Sequence, residues 1–102
     1  MWLWLIATAK AHATPETLAA KRYQWLAQGK DRQLQSRCRV AQRYVVNPRT
    51  KDFGVGVKEA SPPQVVWLLD ADDPDAVRLI TDHFGDLWQI ETREVTPQAI
   101  GS

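Results

Sequence analysis

The chain has 102 residues, of which 44% are hydrophobic and 25% charged, the size and composition of one globular domain. Its single cysteine, Cys38, excludes an intrachain disulfide, so we expect a cytoplasmic protein. The net charge is +1, but residues 1–58 carry +8 (eleven Lys and Arg against three acids) and residues 59–102 carry −7 (nine acids against two Arg). We expect the charges of the two halves to neutralise each other in the folded protein. The alternative is a basic surface for nucleic acid, which the small number of aromatic residues among the basic ones does not favour.

Residues 2–9 predict a first strand that is apolar on both faces. Trp2, Trp4 and Ile6 alternate to one side, and Leu3, Leu5 and Ala7 to the other. A strand of this kind needs cover on both faces and belongs in the centre of a sheet. The apolar run follows no basic segment and is too short to cross a bilayer, so we predict neither a signal peptide nor a membrane span.

A helix is predicted over residues 15–28. Thr14 suits the N-cap, Pro15 the first helical position and Gly29 the C-terminal stop. Its stripe at spacings of three and four residues consists of Leu18, Ala19, Arg22, Trp25 and Leu26. The polar residues 30–36 form either a further helical turn or an exposed linker.

Residues 37–46 predict a second strand at a sheet edge, since one face carries Arg39 and Arg43. These two guanidinium groups could together hold a carboxylate; the alternative is that they are protective charges on an exposed edge. Residues 47–64 predict a long loop or a loop with a short extra strand at 53–57.

Residues 65–70 repeat the apolar pattern of the first strand and predict a second central strand. Asp73 and Pro74 predict the start of a helix that Gly85 ends, and residues 87–95 predict the last strand. Four acids lie where this helix begins, and capping explains them better than a metal site, because they lack the spacing of a calcium loop. These acids are Asp70, Asp72, Asp73 and Asp75.

The element order βαββαβ predicts a ferredoxin-like α+β fold: a four-stranded antiparallel sheet in the order 4-1-3-2, with two helices on one face. The other face would stay apolar and exposed. We therefore expect a homodimer that buries Trp2, Trp4 and Trp67 there, with the Leu/Ala row under the helices. The alternative is a monomer in which residues 47–64 cover that face.

Three segments resemble the dimeric α/β-barrel proteins of the ferredoxin-like superfamily, especially the muconolactone-isomerase-like group and related small proteins. They are WLWLIA at 2–7, VVWLLDADDPDAVRLI at 65–80 and FGDLWQIETREVTP at 84–97. The resemblance implies a homodimer with a ligand between sheet and helices. Members include isomerases, cofactor-independent monooxygenases, haem-degrading enzymes and non-catalytic binders, so the fold alone does not choose among them.

Five residues are candidates for a site. His83, Tyr44 and Arg43 are candidate catalytic residues, and Tyr23 and Trp25 could line an aromatic pocket. We predict an isomerase- or monooxygenase-like enzyme acting on a small aromatic or carboxylated metabolite, without cofactor or metal. The alternative is a module of the same fold that binds a ligand or a protein without catalysis. A cavity between sheet and helices with His83 or Arg43 pointing in would favour the enzyme.

Overall fold

The computed structural model describes residues 1–47 and 62–101. Its elements in chain order are β1 (Trp2–Ala9), α1 (Pro15–Ala27), α2 (Lys30–Arg37), β2 (Val40–Val45), β3 (Gln64–Asp70), α3 (Pro74–Phe84) and β4 (Trp88–Val95). The short strand predicted at 53–57 lies outside the described residues. Among the helices described, none has the length and apolar character that a membrane crossing requires.

The four strands form one sheet in the order β2-β3-β1-β4, with every neighbouring pair antiparallel. This is the predicted 4-1-3-2 order, and it confirms β1 and β3 as the central strands. The prediction of an edge strand is confirmed for β2. The helices cover one face only, so the ferredoxin-like α+β architecture follows from the alternation of the strands and the chain order of the elements.

Local hydrogen bonds fix the helix ends where the sequence predicts them. The Thr14 hydroxyl accepts from the Thr17 amide at 3.2 Å, and the Thr17 hydroxyl accepts from the Thr14 amide at 2.9 Å. The Asp73 carboxylate accepts from the Asp75 amide at 2.9 Å at the start of α3. Gly29 has a φ of 68° and turns the chain from α1 directly into α2, so residues 30–36 are helical and not a linker.

The core lies between the sheet and the helices. The β1 side chains facing the helices are all buried, as predicted for the Leu/Ala row: Leu3, Leu5, Ala7 and Ala9. From the helical side Trp25, Leu34 and Ile80 complete this core. Cys38 is half-buried against it, and burial raises the pKa of its thiol.

The prediction that Trp67 lies on the open face is wrong. Trp67 pairs with Leu5 across β1 and β3, and directly opposed residues share a face, so its ring lies under the helices with only 6% of the residue exposed. The alternation within a strand shows which of its residues share a face. It does not show the register with the next strand, and the register determines which residues of two neighbouring strands lie on the same face of the sheet.

The open face therefore carries a different apolar row from the one predicted. Trp2, Trp4 and Ile6 of β1 lie opposite Asp70, Leu68 and Val66 of β3. Of these side chains Trp4 is 39% exposed. The second central strand thus contributes aliphatic groups to this face, and its tryptophan belongs to the core.

Ion pairs join the basic and acidic halves of the chain, which supports the interpretation that the halves neutralise each other. Lys21 pairs with Asp86 at 2.8 Å, and Arg37 pairs with Asp73 at 3.0 Å. Arg39 binds both Asp70 and Asp72 at 2.8 Å, and its hydrogen bonds hold the pKa of both carboxyl groups below the usual range. The acidic cluster is thus explained by capping together with ion pairing.

Candidate ligand-binding site

A cavity of about 540 Å³ lies between α1 and the neighbouring strands β2 and β3. This volume falls within the range of about 300–1,000 Å³ typical of small-molecule sites. Most of its described lining is apolar, consisting of Leu18, Ala19, Val45, Val46, Pro62, Pro63, Val65 and Trp88. The polar lining residues are Arg22, Arg43, Asn47 and Gln64.

Regular spacing places these side chains around one space. Leu18 and Arg22 are four residues apart on α1 and so lie on the same helix face. Arg43 and Val45 alternate on β2 and point to the helical side of the sheet, because they pair with Trp67 and Val65 of β3. An arginine from a helix and one from a strand thereby line the same cavity.

Arg43 occupies the inner part of this site. Its guanidinium carbon is 5.8 Å from the centroid of the Trp67 ring, a cation–π contact. Burial lowers the pKa of Arg43, and the positive charge of Arg22 lowers it further. Both arginines also line a smaller cavity of about 230 Å³ beside Asp31 and Gln35. Both arginines therefore border two cavities, a larger one that is mostly apolar and a smaller one whose lining includes an acidic residue.

His83 does not line the large cavity but lies among the three helices. Its Nε2 is 2.8 Å from the carbonyl oxygen of Lys21, and its Nδ1 is 3.1 Å from Nζ of Lys30. A carbonyl can only accept, so Nε2 carries the proton and Nδ1 accepts from the lysine. His83 is 6% exposed and both ring nitrogens are engaged, an arrangement that joins α3 to α1 and α2. Its predicted catalytic role stays a prediction.

The remaining candidates lie apart from one another. Trp25 is 1% exposed, packs edge-on against Trp67 at 5.7 Å and lines only the smaller cavity. Tyr23 is 73% exposed, and Tyr44 is 48% exposed on the open face, where its hydroxyl donates to Gln42. Roles for these residues in ligand binding or catalysis remain predictions, and of the five candidates only Arg43 lines the large cavity.

The arginine pair in the cavity is not the one considered from the sequence. Arg39 binds two carboxylates of its own chain at 2.8 Å and does not line the cavity. Arg22 takes the place beside Arg43. The sequence did contain a signal for it, because Arg22 interrupts the apolar stripe of α1 one turn after Leu18 and so faces the sheet.

Comparison with known proteins identifies the fold and no family. No family model matches the chain, and no curated protein does. The crystal structure of the Arabidopsis thaliana protein At3g17210 matches with a TM-score of 0.53 at 12% identity, covering 99% of this chain and 98% of that one. An ethyl tert-butyl ether d (EthD) family protein of Bacillus halodurans matches with a TM-score of 0.43 at 10% identity, covering 94% and 100%. At 12% identity the match to At3g17210 shows a shared fold and nothing about function, and the TM-score of 0.43 is too low for a conclusion from the second match.

Proposed function

We propose that this protein binds a small, largely apolar molecule in the cavity between α1, β2 and β3. The observation that supports this most directly is the cavity itself, about 540 Å³ in volume, with apolar walls and a few polar groups that converge on it. Sites for small molecules combine a mainly apolar lining with a few fixed polar groups, which provide orientation and specificity.

Binding is better supported than catalysis. Within residues 1–47 and 62–101, the lining contains no His, Cys, Asp, Glu or Tyr that would transfer a proton at neutral pH. An isomerase- or monooxygenase-like activity on an aromatic or carboxylated metabolite stays a prediction. Its acid–base candidates are His83 and Tyr44, which lie in the core and on the open face.

A neutral probe tests the site without relying on charge. We expect phenylacetamide to bind with a dissociation constant on the order of millimolar, as for other fragments of this size. Titration followed by NMR of the indole N–H groups should shift Trp88, which lines the cavity, and leave Trp2 and Trp4 unchanged. No shift at Trp88, or equal shifts at all three tryptophans, would contradict the proposal.

A matched pair of variants ties this binding to the cavity. Ala19→Phe adds a ring at an exposed position of α1 that borders the cavity, whereas Ala20→Phe adds the same ring one residue later, outside the lining. We expect Ala19→Phe to weaken phenylacetamide binding and Ala20→Phe to leave it unchanged. Equal affinities in the two variants would place the probe elsewhere.

We also propose that a second copy of the chain packs on the open face, with Trp2 and Trp4 but without Trp67. An apolar row runs across the centre of this face, where Trp4 is exposed, Trp2, Ile6 and Leu68 are partly exposed, and Val66 is already buried in the single chain. At its β4 side, Glu91 and Arg93 lie opposite Ile6 and Trp4. These two side chains form an ion pair with each other, so the strip is neutral overall and two copies can meet there across a two-fold axis without net charge repulsion.

Sedimentation velocity distinguishes the assembly from its subunits. Trp4→Glu should give a folded monomer, because Trp4 lies outside the core and is 39% exposed, so the new carboxylate stays in contact with water in the single chain. Tyr23→Glu, at an aromatic side chain that is 73% exposed on α1, is the control and should remain dimeric. A monomeric unsubstituted protein, or a Trp4→Glu variant that still dimerises, would refute this part of the proposal.

A further inference from the structure

We propose that Arg22 and Arg43 form a two-guanidinium site for the carboxylate of an amphipathic acid, whose hydrocarbon body fills the large cavity. The inference rests on the proposed function and names the class of ligand and the residues that select it. Both arginines line this cavity, and both are half-buried. Two guanidinium groups that border the same cavity provide more N–H donors than one carboxylate needs, so each oxygen can accept a charge-assisted bond.

The charge balance of the chain supports an anionic ligand here. In the part of the chain that the structure describes, neither arginine has a carboxylate within ion-pair distance, whereas Lys21 and Arg37 each have one and Arg39 has two. The proximity of Arg22 contributes to the lowered pKa of Arg43, so the two positive charges oppose each other. An anion bound between them would relieve this repulsion.

The geometry of Arg43 favours a planar carboxylate. The Arg43 guanidinium carbon lies 5.8 Å from the centroid of the Trp67 ring, so an aromatic surface borders the group on one side. The N–H edge of a guanidinium group matches the two oxygens of a carboxylate, which favours a planar acid group at Arg43.

The composition of the two cavities determines on which side the ligand lies. Asp31 lines the smaller cavity, where it would repel an anion. The described lining of the larger cavity contains no acidic residue and is mostly apolar. A ligand with an acidic head and a hydrocarbon body would thus place the body in the larger cavity and reach the arginines from that side.

The test compares phenylacetate with its neutral isostere phenylacetamide by isothermal titration calorimetry. We expect the acid to bind at least about tenfold more tightly than the amide, the effect of a charge-assisted hydrogen bond. Arg22→Gln and Arg43→Gln should each remove most of this preference while amide binding persists. Arg78→Gln is the control, because Arg78 lies on α3 outside this cavity, and it should retain the preference.

The outcomes separate this inference from the proposed function. Amide binding with no preference for the acid would refute the carboxylate site and leave the binding function intact. Absence of binding by both compounds would overturn the two together. Tighter binding of phenyl phosphate than of phenylacetate would contradict the assignment of a carboxylate. Arg43→Lys should recover part of the affinity for the acid but not its full value, because an ammonium group cannot bind both oxygens in one plane.

Discussion

Replacing Trp67 by alanine tests which face of the sheet this side chain occupies. Trp67 is 6% exposed, and its ring centroid is 5.7 Å from that of Trp25 and 6.1 Å from that of Phe84. A buried tryptophan removes about 150–250 Å² from water, which at about 25 cal/mol/Å² corresponds to about 4–6 kcal/mol. Alanine keeps the Cβ atom, so we expect the free energy of unfolding to fall by about 3–5 kcal/mol.

The loss should be measured by urea unfolding, with Trp4→Ala as the matched control. Trp4 is 39% exposed on the open face, and its removal leaves no closed cavity, so we expect a loss of about 2 kcal/mol or less. In a domain of this size about 1 kcal/mol corresponds to about 4–8 °C in melting temperature. The Trp67 variant should therefore melt at least about 12 °C below the parent protein.

Two results would refute this placement of Trp67. One is an equal shift of the urea midpoint in the two variants. The other is dissociation of the proposed dimer by Trp67→Ala with no change in the urea midpoint, which is the behaviour expected of a residue on the open face. Trp4→Ala should show the reverse pattern, in which association weakens more than the fold.

Three further predictions concern single contacts. His83→Phe should lower the free energy of unfolding by about 1–3 kcal/mol, because the carbonyl oxygen of Lys21 loses its hydrogen-bond donor. His83→Gln should lower it less in the same urea titration, and phenylacetamide binding should be unchanged in both variants. Arg39 lowers the pKa of Asp70 and Asp72, so these carboxylates add stability that is present above about pH 4, near their pKa in the unfolded chain, and is lost as the pH falls through their pKa in the folded chain. Arg39→Gln should therefore give a shallower fall in the free energy of unfolding between about pH 4 and about pH 2. An identical pH profile in the variant would contradict this linkage. Gly29→Ala should cost about 1–2 kcal/mol in thermal unfolding, because a Cβ atom disfavours the positive φ between the two helices; an unchanged melting temperature would count against that turn geometry.

The fold could be predicted from the sequence because its signals are local. Alternation on both faces identified β1 and β3 as central, and capping residues such as Thr14 and Asp73 identified the helix starts. Element order and the right-handed crossover rule then restricted the sheet to one arrangement. The sequence does not distinguish a helix at Lys30–Arg37 from an exposed linker, because these residues are mostly polar, and only the turn at Gly29 shows where the helix begins.

The site was less predictable because it depends on contacts between elements. Arg43 was identified as a candidate from its strand position, but its neighbour was not. Arg39 precedes Arg43 by four residues and is the partner that the sequence suggests. In the folded chain it binds Asp70 and Asp72 instead, and these carboxylates lie near it only after folding. His83 is a candidate catalytic residue because an imidazole can transfer protons. Its hydrogen bonds to Lys21 and Lys30 arise from the packing of the three helices, which residue spacing within one helix does not reveal.

The contact between Trp25 and Trp67 gives the protein an optical signature. Their indole rings are 5.7 Å apart and inclined by 63°, so they are close enough for their electronic transitions to couple and their planes are not parallel. Circular dichroism should then show an exciton couplet that reports on the joining of α1 to β3, independently of helix content. Because Trp67 also lies close to Arg43, the same couplet should change when a ligand binds at Arg22 and Arg43, and no added label is needed to detect it.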